Sequence, residues 1–92
     1  MKKLIWTQRF IKASEKFISK NPELIDTFKS TITRLEQDPF DPTLKTHKLK
    51  GKLSGLLSCS INYYFRIVFL LDYSSKPEQI ILLNIGSHEQ VY

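Results

Sequence analysis

A chain of 92 residues, 41% hydrophobic and 25% charged, suffices for one small domain spanning 1–92 and argues against both disorder and a second folding unit. Lys and Arg total 14 against 9 Asp and Glu, and the resulting net charge of +5 suits nucleic acid, anionic lipid or an acidic protein without choosing among them. The lone cysteine, Cys59, excludes an internal disulfide and a cysteine-built zinc site, and the longest later apolar run, 67–71, falls far short of the roughly 20 residues of a membrane span, so the expectation is a soluble cytoplasmic protein without a membrane partner.

Leu4, Ile5 and Trp6 mark a first strand over 2–6. Lys2 and Lys3, ahead of those apolar residues, resemble the start of a secretion signal, but the apolar run ends too soon to form the core of one. Thr7 is suited to cap a helix, and Phe10, Ile11, Ser14, Phe17 and Ile18 then recur at helical spacing. Asn21-Pro22 breaks that pattern and predicts a second helix capped by Asn21, with Ile25, Phe28, Ile32 and Leu35 on its buried stripe. Two prolines within 38–42 end it. From Leu44 onward β-formers dominate, with strands predicted over about 56–62, 64–72 and 79–86 and a turn over 73–77. The expected fold is α+β: an N-terminal strand, an antiparallel two-helix hairpin, then a curled antiparallel sheet of about four strands with the helices on one face.

Alternation along the strands sorts their side chains. Leu57, Cys59 and Ile61 oppose Ser58, Ser60 and Asn62, while Phe65, Ile67, Phe69 and Leu71 oppose Tyr64, Arg66, Val68 and Leu70. In the last strand Ile81, Leu83 and Ile85 oppose Ile80, Leu82 and Asn84. The wholly apolar set of each strand is expected against the helices. The opposite face then stays partly open, with Ser58, Ser60, Tyr64, Arg66 and Asn84 at its polar end and with His88 and Tyr92 arriving there from the C-terminus. If 45–52 is extended, Lys48, Lys50 and Lys52 point one way and form a line of charge beside that face, with Lys45 and His47 just before it.

Three segments in order carry a resemblance: His47 to Gly55 (HKLKGKLSG), Tyr64 to Phe69 (YFRIVF), and Ile85 to Tyr92 (IGSHEQVY). Together they resemble the RelE/ParE superfamily of toxins from bacterial type II toxin–antitoxin systems, and within it the RelE and YafQ branches. The resemblance covers nearly the whole chain. It implies a ribosome-dependent endoribonuclease that cuts mRNA in the ribosomal A site, inhibits translation, and is neutralised by a cognate antitoxin protein. In that pattern Arg66 matches the strand arginine that stabilises charge on the phosphate, His88 the histidine that moves a proton, and Tyr92 the C-terminal aromatic that orients substrate. Lys45, Lys48, Lys50 and Lys52, with His47, lie where the family holds the RNA backbone. Ser58, Ser60, Tyr64-Phe65 and Asn84 depart from it, standing where relatives carry acidic, histidine, tryptophan or basic residues. The same fold also supports a gyrase-binding ParE-like toxin, or an inactive member that only binds antitoxin.

RNA cleavage by its own 2′-hydroxyl requires a base, an acid and a fixed cation, and no cofactor. Arginine serves as the cation because it stays charged and its fork spans two phosphate oxygens. Histidine serves proton transfer near neutral pH. Without the family pattern, Arg66 reads as a solvated strand residue, His88 and Tyr92 as chain-end surface, His47 as a loop residue bonded to backbone, and the lysines as protection of a sheet edge. The two histidines, far apart and without ligand-spaced neighbours, predict no metal site.

Overall fold

The computed structural model describes residues 2–92. Strand β1 (Lys3–Trp6) leads into helix α1 (Gln8–Lys20), a 3-10 turn at Pro22–Leu24, and helix α2 (Ile25–Gln37). After a second 3-10 turn at Pro42–Leu44 come β2 (His47–Lys48), a third such turn at Gly51–Leu53, β3 (Leu57–Ser60), β4 (Phe65–Asp72), β5 (Gln79–Ser87) and a short helix α3 (His88–Val91). The α+β architecture is the expected one, with one addition: β1 joins the sheet. The sheet has five strands in the order β1-β5-β4-β3-β2, with β1 parallel to β5 and every other pair antiparallel.

Thr7 is the N-cap of α1. Its hydroxyl oxygen accepts from the Phe10 amide at 3.2 Å, and its proton goes to the Leu82 carbonyl at 2.6 Å, tying the start of the helix to β5. Asn21 does not cap the second helix. Its side-chain amide instead donates to the Phe17 carbonyl at 3.0 Å, closing the end of α1, and α2 proper starts three residues after Pro22. Phe28 of α2 meets Phe10 and Phe17 of α1 with ring centroids 6.4 Å apart. Around these rings Leu35, Leu44, Ile67, Phe69, Ile80 and Leu82 are fully buried, forming the core between helices and sheet.

The parity read from β3 and β4 holds; in β5 it holds at Asn84 and Ile85 but not over the four residues before them. Ile80 and Leu82, not Ile81 and Leu83, face the helices, and Ile85 joins them. Val68 pairs with Asn84 while the next residue, Phe69, pairs with Leu82, so Leu83 is an inserted residue, a β-bulge. One extra residue exchanges the two faces of a strand.

Cys59 lies in this core, fully buried, and desolvation pushes its thiol from an ordinary value of 9.0 up to about 12. A raised pKa means the folded state favours the thiol. The contribution is therefore complete below about pH 9 and lost as pH climbs towards about 12. A thiol reagent at about pH 8 should label Cys59 only as fast as the chain unfolds, and at once in denaturant. Immediate labelling of folded protein would contradict this packing.

Candidate functional site

Residues paired across strands share a face. Through the pairs His47–Ser58, Ser58–Val68 and Val68–Asn84, the face turned away from the helices carries a row running from β2 to β5. The neighbouring row, towards the β3–β4 turn, is Ser60–Arg66–Gly86. This second face is less open than alternation suggests. Ser58 and Val68 are buried, and so is Val91 of α3, outside the cluster that packs on the helices.

The cover is α3 itself. Ser87 and Gln90 form a reciprocal capping box, with the Ser87 amide donating to Gln90 Oε1 at 2.8 Å and the Gln90 amide donating to Ser87 Oγ at 3.3 Å. A Cβ on Gly86 would lie 2.7 Å from Gln90 Oε1, so the bare glycine leaves room for the helix to fold back over the strand that leads into it. Tyr92 then reaches across the sheet and donates its hydroxyl proton to Ser58 Oγ. The rings of His88 and Tyr92 meet edge to face at 4.3 Å. Of the expected convergence of Arg66, His88 and Tyr92, Tyr92 reaches the sheet with His88 against its ring, while Arg66 lies one row away; the anchor is Ser58, whose part sequence reasoning missed. Its place on the polar parity was readable; its bond to a residue 34 positions away was not.

His47 stands beside this anchor in the row. Its Nδ1 lies 3.2 Å from the Lys45 carbonyl oxygen, which can only accept, so in the neutral ring Nδ1 carries the proton and Nε2 keeps its lone pair. Arg66 lies one row away. One terminal nitrogen, Nη1, donates to the carbonyls of Asn62, Tyr63 and Phe65 at 2.8, 3.0 and 3.1 Å. Its Nε and Nη2 have no protein partner among the described residues, and together they form the fork edge that fits two phosphate oxygens.

The lysines do not form a line. Only His47 and Lys48 are strand, and Lys48 pairs with Leu57, which places it on the helix face beside Phe40 and Tyr73. Gly51, at φ +67°, turns the chain, and Lys52 falls in the 3-10 turn that follows Lys50. Lys45 is left-handed at φ 52°. All four are exposed, as basic charge around the β2 segment and not as a ridge on the second face. Among the described residues no group of three His, Cys, Asp or Glu could hold a metal ion, and no helix is long and apolar enough to cross a membrane.

The family model described as the bacterial toxin of type II toxin–antitoxin system, YafQ, matches residues 2–92. The chain belongs to the YafQ toxin family. Among solved structures it is similar to YafQ from E. coli, at 15% identity and a TM-score of 0.80, covering 100% of this chain and 99% of that one. It is similar also to a copper-bound mutant toxin from Helicobacter pylori, at 28% identity and a TM-score of 0.72, covering 100% of both chains. The E. coli DinJ–YafQ toxin–antitoxin complex aligns at 15% identity with a TM-score of 0.77, covering 99% of this chain and 97% of that one. No curated protein matches the chain. As a YafQ-family toxin with an α+β, RelE-like fold, it carries on its second face a candidate site bounded by α3 and Tyr92.

The Ser58–Tyr92 contact is the structural key to that closure. Ser58→Ala should cost about 1 kcal/mol of unfolding free energy, the usual worth of one intramolecular hydrogen bond. Amide hydrogen exchange in α3 should quicken, and Tyr92→Phe should do the same. Unchanged exchange in both variants would mean that α3 is held by something else.

Proposed function

We propose that this toxin is an mRNA endoribonuclease acting on mRNA in the ribosomal A site, cleaving by attack of the 2′-hydroxyl on the adjacent phosphodiester. The observation that supports it is the shared face: His47 and the Ser58–Tyr92 anchor stand on one row, His88 lies against the Tyr92 ring, and the free edge of Arg66 is in the next row.

His47 Nε2 takes the 2′-hydroxyl proton as general base. The 2′-oxygen then bonds to phosphorus, the bond to the 5′-oxygen breaks, and His88 protonates that leaving oxygen. The products are a 2′,3′-cyclic phosphate and a 5′-hydroxyl. Nε and Nη2 of Arg66 hold the phosphorane oxygens as charge builds, so the reaction needs no metal. Tyr92, fixed by Ser58 and lying against His88, orients both the histidine and the substrate. Lys45, Lys48, Lys50 and Lys52 supply diffuse attraction for RNA and ribosome. Such a toxin works in the cytoplasm.

Its other partner is a cognate antitoxin. β1 pairs only with Gln79 to Leu82, leaving the rest of that β5 edge open. There a groove of about 550 Å³ runs against α1, floored by Phe17, Phe65 and Ile85 and rimmed by Lys16 and Lys20. An acidic amphipathic segment that folds on binding fits such a groove.

Expression without antitoxin, followed by mapping of RNA 5′ ends, tests the reading. Cuts should cluster at one codon position in translated messages. Arg66→Ala, checked for folding, should lower cleavage by about 10²–10³, and His47→Gln and His88→Gln should each lower it while leaving the fold intact. Growth arrest with intact mRNA would point to a gyrase-type target instead, and soluble protein without arrest to an inactive member.

A further inference from the structure

Beyond these groups, we infer that Tyr63 and Tyr64, on the β3–β4 turn, form a nucleobase-stacking subsite for single-stranded RNA adjoining Arg66. The inference rests on the nuclease reading. Both rings lie far out in solvent, Tyr63 84% and Tyr64 69% exposed, more than any other large hydrophobic side chain described. They meet edge to face at 5.2 Å, an arrangement that leaves the flat faces of the edge-on ring open. Neither side chain holds the turn together. Asn62 Oδ1 accepts from the Tyr64 and Phe65 amides at 2.9 Å, Arg66 Nη1 donates to three turn carbonyls, and the Ile61 amide donates to the Phe65 carbonyl at 3.0 Å. The backbone is thus fixed without the tyrosines, and two rings are presented to water in a preset position.

A pair of exposed rings beside a cation suits a ligand with π-faces and negative charge, which is what a nucleotide offers. An apolar protein segment would find Arg66, Ser60 and Asn62 around the pair, which is poor company for it. Position agrees with this. Along the β3–β4 hairpin, the tip of Tyr92 sits at the Ser58–Val68 pair, Arg66 lies two residues further, and the tyrosine turn follows. At roughly 3.3 Å per residue, each step spans about 7 Å, so a strand of RNA with its phosphate on Arg66 has an aromatic ring available on either side.

Fluorescence anisotropy with a short labelled single-stranded RNA tests this, the RNA carrying 2′-O-methyl groups so that it resists cleavage. Replacing both tyrosines with alanine should raise Kd about tenfold or more, as loss of base stacking does. Replacing both with leucine should raise it equally, because area without a π-face does not stack. Replacing both with phenylalanine should change it by less than about twofold. Alanine variants that bind as tightly as wild type, while Arg66→Ala loses binding, would overturn the subsite and leave the nuclease reading standing. Full binding by the leucine variant would show apolar docking and overturn it too. A wild-type protein that binds no RNA would overturn the subsite, with the nuclease reading judged separately by the mapped 5′ ends.

Discussion

Strand β5 has to bury Ile80, Leu82 and Ile85 on the same side, and a regularly alternating strand cannot. The inserted Leu83 resolves the conflict. Before it, β5 pairs in parallel with β1 and packs under the helices; after it, Gly86 is brought onto the second face opposite Arg66. The strand then ends where α3 can fold back, over a glycine that leaves space for Gln90. Without the bulge, Gly86 would point into the core, and Tyr92 would leave the sheet on the wrong side to reach Ser58. Core packing and site assembly therefore depend on one local irregularity, as bulges beside functional sites commonly arrange.

Much of this was legible in the chain. Thr7, the prolines at 22, 39 and 42, and the helical stripes of Phe10, Phe17, Phe28 and Leu35 delimit the helices because caps and prolines act locally. The alternation of Leu57 to Ser60 and of Phe65 to Phe69 correctly sends Ser58, Ser60 and Arg66 to the second face. The bulge was hidden because Ile80, Ile81, Leu82 and Leu83 are apolar on both parities, so the pattern carries no sign of the shift. The supposed lysine line failed at Gly51, whose positive φ is a backbone freedom that spacing does not announce. Asn21 has the chemistry to serve either helix end, and tertiary context decided for the first.

Arg66 joins the two kinds of information. Its Nη1 closes the β3–β4 turn on three carbonyls, which is structural work, while Nε and Nη2 stay available for an anion. A guanidinium held on one side loses little further freedom when it grips an anion with the other, so the turn preorganises Arg66 for the clamping role proposed for it. The departures from the family pattern read differently in this light. Ser58, which could look like a missing catalytic group, is the acceptor that positions the C-terminal tyrosine. His47, brought in by two residues of strand, is the base of the proposed mechanism.

We propose that RNA lies on the second face of the sheet, beside the C-terminal helix and against His47 and Arg66. Solution NMR of labelled protein titrated with 2′-O-methylated RNA tests it most directly. The prediction is that amide and side-chain resonances of His47, Ser58, Ser60, Arg66 and Tyr92 shift together, while those of Phe17, Ile85 and Lys20 in the α1–β5 groove stay still. Shifts confined to that groove, with His47 and Arg66 unmoved, would contradict it.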